Sequence, residues 1–99
     1  MKNQEDYFKV LRKIQQKPNS SQRELAKDTG FSLGKLNYCL NALRDKGLIK
    51  IKNFKKNPNK FNYAYILTPK GISEKTRLTL NFMKKKMKEY DDLKKELEK

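Results

Sequence analysis

The sequence predicts a mainly α-helical fold that contains one small β-hairpin and ends in a long helix. In the first half, Ser21 and Glu24 form a capping box that begins a helix, and Gly30 ends this helix after little more than two turns. A second amphipathic stretch follows directly, and two β-prone runs flank the turn signal at residues 56–60. No proline follows Pro69, so the last 30 residues can continue as one helix.

The composition favours a single domain whose partner is a nucleic acid. The 99 residues are enough for one modest core, and 25 Lys and Arg against 11 Asp and Glu give a net charge of +14. The one cysteine, Cys39, falls among leucines and predicts a buried thiol. The sequence has no apolar run long enough to cross a membrane and no hydrophobic signal region. These features predict a cytoplasmic protein that does not bind a membrane.

The first helix begins near Asn3 and presents one apolar face. The spacing of three and four residues places the following side chains together: Tyr7, Val10, Leu11 and Ile14. The helix ends before Pro18, because the residue before a proline is disfavoured in the helical region. Tyr7 or Phe8 could also stack on a base, but aromatic residues at this spacing are usually core residues, and we interpret them so.

The helix after the turn combines an apolar face with an unusually polar opposite face. Ser32 is placed to cap it, and its apolar residues repeat at three and four: Leu33, Leu36, Cys39, Leu40 and Leu43. The other face offers amides, a phenol and one ammonium group, which suit base edges and phosphates. We therefore predict a recognition helix over residues 32–46 that enters the major groove of DNA. The candidate contacts are Ser32, Gly34, Lys35, Asn37, Tyr38 and Asn41.

Gly34 is among the candidate DNA contacts because glycine has no side chain. A glycine inside a helix costs roughly 1 kcal/mol relative to alanine, and close approach of the helix start to the DNA backbone would explain its presence. The alternative is a tolerated, exposed glycine with no function.

A basic hairpin follows the recognition helix. Lys46 and Gly47 end that helix, a short first strand begins at Leu48, and the alternating run FNYAYILT forms the second strand. No acidic residue occurs between Asp45 and Glu74. We predict that this wing, residues 50–62, contacts the DNA backbone or the minor groove. Its candidate contacts are Lys52, Lys55, Lys56 and Lys60. The alternative is that the lysines only keep an edge hairpin from aggregating.

The long C-terminal helix predicts a homodimer. Thr68 can cap it and Pro69 suits its first position, and 30 helical residues would span about 45 Å. A heptad-like stripe begins at Ile72 and Thr76; its first half can pack on the domain, but the part from Met83 onward lacks a partner within the chain. Residues 1–71 are thus predicted as a DNA-binding domain and 72–99 as a dimerisation helix of the same unit. The candidate dimer contacts are Leu80, Met83, Met87, Tyr90, Leu93 and Leu97.

Two alternatives remain for this helix. It could be a solvated single helix held by Glu and Lys pairs, or a basic helix on a membrane surface, since lysines cluster at residues 84–88. The acidic residues from Glu89 onward argue against the membrane.

Several segments resemble known regulators. The run LRDKGLIK and the later LTPKG resemble the end of the recognition helix, the first wing strand and the following corner of MarR-type winged helices. The segments SLGKLNYCLNALRDKGLIK, YAYILTPKGISEKTRLTLNFMKKKM and EYDDLKKELEK are similar to the small MarR-like regulators associated with exopolysaccharide gene clusters. The resemblance implies a winged helix-turn-helix that binds double-stranded DNA as a homodimer and a link to exopolysaccharide genes. Larger MarR proteins have extra dimerisation helices and often a small-molecule pocket between the dimer and the DNA-binding part, whereas this chain has one helix, so we expect no effector pocket of that kind. The sequence does not indicate whether an effector controls the protein, and no cofactor is predicted.

An enzyme is not predicted. The sequence contains no histidine and no glycine-rich phosphate loop, and its one cysteine occupies a core position, which excludes metal sites of the usual Cys and His kinds. The alternative to a DNA-binding regulator is a protein-interaction adaptor that uses the winged helix as a docking face. A large exposed apolar patch at Phe31, Leu33 or Tyr63 would favour the adaptor.

Overall fold

The computed structural model describes residues 4–57 and 60–98, and it describes their side chains except those of residues 53–57 and 60–63. Four helices and one antiparallel hairpin follow each other along this part of the chain: α1 (Gln4–Gln16), α2 (Gln22–Thr29), α3 (Leu33–Asp45), β1 (Ile49–Asn57), β2 (Lys60–Leu67) and α4 (Pro69–Leu97). The predicted fold class, a winged helix-turn-helix with a long C-terminal helix, is confirmed.

Helices α1, α2 and α3 pack around one hydrophobic core. The predicted apolar face of α1 is buried as expected, with Val10, Leu11 and Ile14 at its centre. Leu25 from α2 and Leu36 from α3 meet these residues and are themselves fully buried. Each buried leucine or isoleucine contributes roughly 1.5–3 kcal/mol of transfer free energy, so this cluster holds the three helices in place.

One residue of the predicted α3 core face is not in the core. Leu33 is 57% exposed, while the other four predicted core positions of α3 are buried. Leu33 is the first residue of α3 and directly follows the Ser32 cap. The three-and-four spacing identified the correct face but could not show which of its positions the rest of the domain covers.

Local hydrogen bonds fix both ends of α2: the cap at its start and the corner that leads into α3. The Ser21 hydroxyl accepts a hydrogen bond from the Glu24 N–H at 3.2 Å, which confirms the predicted cap. Gly30 adopts φ 75°, a left-handed conformation in which glycine is least strained, and donates its N–H to Ala26 at 2.9 Å. Buried Thr29, which the sequence analysis did not single out, donates its hydroxyl to the Leu25 carbonyl at 2.7 Å.

The hairpin is longer than predicted and is anchored at its base. β1 extends over nine residues instead of forming a short strand, and it pairs with β2 from Ile49 opposite Leu67 towards the turn. At the base, the Tyr65 N–H donates to the Ser20 carbonyl at 3.2 Å, and the Asn19 N–H donates to the Tyr65 carbonyl at 3.2 Å. The hairpin is therefore attached to the loop between α1 and α2 as well as to α3.

The start of α4 lies against the end of α3 at very short range. The Thr68 hydroxyl caps α4 by accepting the Gly71 N–H at 3.0 Å and donates to the Gly47 carbonyl at 2.7 Å. A Cβ atom placed on Gly71 would lie 1.9 Å from the Leu48 carbonyl oxygen. No real side chain tolerates this distance, so glycine is required for α4 to approach the turn between α3 and β1.

Only the first half of α4 packs on the domain. Buried Leu78 and the half-buried Phe82, whose ring stacks on Phe8 with 5.0 Å between centroids, make the contact. Ile72, at the start of the predicted stripe, is exposed instead, because the stripe lies on a different side of α4 from Gly71 and Leu78. Leu80, a predicted dimer contact, is exposed as well. Beyond Met87 the helix projects away from the domain, and the molecule is 67 Å long but only 25 Å wide.

Candidate nucleic-acid interface

The predicted DNA contacts of α3 lie on its exposed face. At Gly34, in the first turn, no other described part of the chain packs against this face. Ser32 caps the helix by accepting the Lys35 N–H at 3.1 Å, and a Cβ placed on Gly34 would meet no atom within 4 Å. Tyr38 is 60% exposed and Asn41 is also exposed. Nothing in the described part of the chain explains a glycine at position 34, so its small size has no structural role within the domain.

Asn37 has a hydrogen-bond partner on α2. The Gln22 side-chain amide donates to the Asn37 side-chain oxygen and joins the first turn of α2 to the exposed face of α3. An amide oxygen has two lone pairs, so the contact restricts the orientation of Asn37 while leaving its NH₂ group and one lone pair available. Gln22 could not be identified from the sequence, because the two residues are 15 positions apart and no local pattern connects them.

Lys35 is turned towards the body of the domain. Its ammonium group lies 3.3 Å from the Asp6 carboxylate of α1 and 4.3 Å from the centre of the Phe31 ring. Lys9 also lies over this ring, at 5.2 Å. Lys35 therefore occupies the edge of the exposed face of α3, whereas Gly34, Tyr38 and Asn41 occupy its centre.

The wing is exposed where the structure describes its side chains. Lys50 and Lys52 on β1 are both exposed. Lys55 and Lys60 belong to the paired strands, opposite Phe61 and Asn57 respectively, but their side chains and that of Lys56 lie outside the described residues. The predicted wing contacts at these three positions stay predictions.

Few of the basic side chains are neutralised by strong ion pairs. Outside α4, the described pairs join Lys17 to Asp28 at 3.2 Å, Lys35 to Asp6 at 3.3 Å and Arg44 to Asp45 at 3.7 Å, all partly or largely solvent-exposed. Exposed pairs of this kind contribute roughly 0–1 kcal/mol each. With a net charge of +14, the molecule keeps a large excess of positive charge for a polyanion.

Cys39 is unsuited to catalysis or redox sensing. Burial raises the pKa of its thiol, the nearby Asp6 carboxylate raises it further, and Lys35 lowers it. The neutral thiol is therefore favoured, and the thiolate that would act as a nucleophile is disfavoured. Among residues 4–57 and 60–98, no cluster of three His, Cys, Asp or Glu side chains is placed to hold a metal ion.

Of the two described residues in the apolar patch that would indicate a protein-docking face, one is exposed. Leu33 is exposed, but Phe31 is half-buried beneath Lys9 and Lys35. The Tyr63 side chain lies outside the described residues. Single exposed leucines are common on soluble domains, so Leu33 does not by itself favour an adaptor.

The arrangement is that of a winged helix-turn-helix: α2, the turn at Gly30 and α3 form the helix-turn-helix, and the adjoining hairpin forms the wing. Residues 8–50 match the family model described as winged helix-turn-helix DNA-binding. The match covers α1 from Phe8 onward, the whole of α2 and α3, and the first two residues of β1. A comparison with curated protein sequences found no match.

The chain as a whole has the fold of MarR regulators. It is similar to Staphylococcus aureus MarR in complex with salicylate and kanamycin, with 20% identity over 88% of this chain and 57% of that chain and a TM-score of 0.69. A mutant E. coli MarR complexed with operator DNA is 28% identical over 74% of this chain and 51% of that chain, with a TM-score of 0.65. The PcaV transcriptional regulator from Streptomyces coelicolor is 16% identical over 93% of this chain and 72% of that chain, with a TM-score of 0.73. This chain spans little more than half the length of the two MarR chains.

None of the helices in the described ranges is both long enough and apolar enough to cross a membrane. The 29 residues of α4 satisfy the length, but lysines and acidic residues are distributed along it.

Proposed function

We propose that this protein is a sequence-specific transcriptional regulator that binds double-stranded DNA as a homodimer. The main support is the exposed face of α3, where small and polar side chains replace the charged pairs of an ordinary solvated helix. The fold supports the same function, because solved structures with this fold include an E. coli MarR with operator DNA and CouR bound to a DNA duplex.

In this proposal α3 enters the major groove. Asn37 and Asn41 present amides that can pair with adenine, Tyr38 and Ser32 present hydroxyls, and the absence of a side chain at Gly34 allows close approach to the backbone. Exposed Leu33 at the helix start has the chemistry to contact a thymine methyl group. Lys35 would exchange its contact with Asp6 for a phosphate at the edge of the groove.

The wing would supply contacts that do not depend on sequence. Lys52 is exposed on β1, and Lys55, Lys56 and Lys60 follow it towards the turn. Lysine acts on a phosphate as a point charge, so these residues would position the protein on the DNA backbone or the minor groove without distinguishing bases.

The dimer would form through α4. The predicted dimer contacts are all more than half exposed, which is unusual for so many large apolar side chains on one helix: Leu80, Met83, Met87, Tyr90, Leu93 and Leu97. A second copy would cover them. In this arrangement residues 1–71 form the DNA-binding domain, and residues 72–99 form the dimerisation helix of the same structural unit.

The sequence resemblance indicates which genes are regulated, and the proposed function indicates the compartment. We infer from the similarity to small exopolysaccharide-associated regulators that the protein controls exopolysaccharide genes. As a regulator of transcription it would act in the cytoplasm and would not be an enzyme.

A gel shift tests the proposal directly. Duplex DNA from upstream of the protein's own gene should be bound more tightly than unrelated DNA of the same length and base composition. The Gly34→Val variant should bind neither duplex, because a branched side chain at the start of α3 would exclude the DNA backbone, and it should keep the parent's melting temperature. Equal binding of both duplexes by the parent would refute sequence specificity, and full binding by the variant would show that α3 does not enter the groove.

A further inference from the structure

A groove between α1 and the free side of α4 has the features of a protein-docking site. It encloses about 680 Å³, and its apolar floor is formed by the stacked rings of Phe8 and Phe82 together with Met83 and Met87. Both methionines are largely exposed in the isolated chain. Methionine side chains are flexible and pack readily against varied surfaces, which suits a docking groove.

The charged side chains along this groove all have the same sign. Arg12 from α1 and Lys75 and Lys86 from α4 line it, and none of the described lining residues is acidic. Lys86 has a carboxylate neighbour, Glu89 on its own helix at 3.6 Å, but both side chains are strongly exposed and the pair is weak. The groove is therefore complementary to an apolar segment that brings negative charge.

The end of α4 is such a segment. Tyr90 and Leu97 follow Met83 by one and two heptads, and Leu93 follows Lys86 by one heptad, so they continue the groove side of the helix beyond the domain. Tyr90 is 66% exposed and Leu97 87% exposed. Residues 89–98 contain five Asp and Glu against two Lys, whereas residues 69–88 contain seven Lys and Arg against one Glu.

We propose that two copies pair their α4 helices antiparallel, so that residues 89–98 of each copy occupy the α1–α4 groove of the other. This inference rests on the homodimer of the proposed function and adds its orientation and its contact surface. An antiparallel pair places the acidic end of one helix against the basic groove of the other at both ends of the interface. A parallel pair would place like charges opposite each other along the whole helix, and such charges decide orientation and partner choice.

The spacing of the DNA-binding domains supports the same orientation. If residues 89–98 face the groove at residues 75–87, the two-fold axis passes near residue 88. Leu78, where α4 meets its own domain, is ten residues from this axis, so the two domains attach about 30 Å apart at 1.5 Å per residue. Half-sites one turn of DNA apart require about 34 Å, which an antiparallel dimer approaches.

Charge reversal tests which segments meet. Two double variants reverse the charges: Arg12→Glu/Lys75→Glu in the groove, and Glu96→Lys/Glu98→Lys in the tail. Each should weaken dimerisation by about tenfold or more, because like charges then face each other between groove and tail at both ends of the dimer. The chain with all four changes should recover to within about threefold of the parent. Lys84→Glu/Lys88→Glu, on the opposite side of α4, is the matched control and should leave dimerisation within about threefold of the parent. Analytical ultracentrifugation measures all four, and a quadruple variant no better than the double variants would overturn the proposal.

Disulfide trapping tests the orientation independently. Met83→Cys and Leu93→Cys are made in separate chains that carry different tags; Cys39 is buried and does not compete. The mixture should give a disulfide between the two different chains, and each variant alone should give little. Same-position disulfides in each variant alone would show a parallel dimer and overturn only the orientation. A parent chain that sediments as a monomer at all concentrations would overturn the homodimer of the proposed function as well, and the gel shift would still test DNA binding separately.

Discussion

Gly71 and Gly34 are both helical glycines near a cap, yet their surroundings are opposite. A Cβ on Gly71 would overlap the Leu48 carbonyl oxygen, and a Cβ on Gly34 would enter open space. The sequence singled out Gly34 because of its place in the recognition helix. It gave no indication about Gly71, whose neighbour is 23 residues earlier in the chain.

Exchange of each glycine for alanine separates these roles. Gly71→Ala should lower the free energy of unfolding by at least about 2 kcal/mol, because α4 must move away from β1 or strain its backbone. Gly34→Ala should leave stability unchanged or raise it by up to about 1 kcal/mol, since alanine is the better helix former. Urea denaturation of the two variants and the parent measures both effects. A stable Gly71→Ala protein would show that α4 does not lie this close to Leu48.

Asn37 and Gln22 should affect specificity more than affinity. Asn37→Ala should weaken binding to the operator by about 1–3 kcal/mol and leave binding to unrelated DNA nearly unchanged, which is the expected effect of losing a bidentate base contact. Gln22→Ala should produce a smaller loss in the same direction, because Gln22 orients the Asn37 amide. The matched control is Gln15→Ala, an exposed amide on α1. Fluorescence anisotropy on both duplexes is the measurement, and equal losses on the two would assign these residues to the backbone instead.

At the scale of single elements, the wing should contribute affinity without specificity. Replacing Lys55 and Lys56 by alanine should weaken binding to operator and to unrelated DNA by about the same factor, because phosphate contacts do not depend on sequence. Lys84→Ala/Lys88→Ala removes the same charge from α4 and should have a smaller effect. Competition gel shifts with both duplexes distinguish the outcomes, and a loss confined to the operator would mean that the wing contacts bases.

Helix α4 divides into a part that packs on the domain and a part that would form the proposed dimer. Leu78 and Phe82 pack on the domain, whereas Met87, Tyr90, Leu93 and Leu97 are exposed. A chain cut after Lys84 should therefore fold as a monomer with a cooperative unfolding transition, and it should bind a palindromic operator far more weakly than the parent. Sedimentation and thermal unfolding of the truncated chain test this, and an unchanged dimer would place the interface outside the removed residues.

For the whole molecule, the large positive charge should make DNA binding strongly dependent on salt. If about six lysines and arginines per dimer contact phosphates, a plot of log K against log salt should have a slope near −5, since each neutralised phosphate contributes about −0.9. Titrations at several salt concentrations with unrelated DNA give the slope without interference from base contacts. A slope shallower than about −2 would contradict phosphate-dominated binding.

Local interactions are the part of this protein that the sequence by itself determined. Several features involve groups within a few residues of each other, so spacing and residue type were enough to locate them. These are the helix caps at Ser21, Ser32 and Thr68, the turn at Gly30 and the apolar face of α1. The length of α4 followed from the same reasoning. The exposed face of α3 could be predicted for the same reason, because the apolar face determines which side of a helix remains outside.

Contacts between distant segments were decided only by the tertiary structure. Three contacts connect residues that no local pattern relates. They are the close approach of Gly71 to Leu48, the hydrogen bond between Gln22 and Asn37, and the backbone hydrogen bond between Tyr65 and Ser20. The exposure of Leu33 was also decided by the tertiary structure, since the other predicted apolar positions of α3 are buried. The side of α4 that meets the domain was also decided in this way, because several apolar positions on that helix could have packed inward. Helical periodicity defines faces, but the free energy of packing against other elements selects which face is buried.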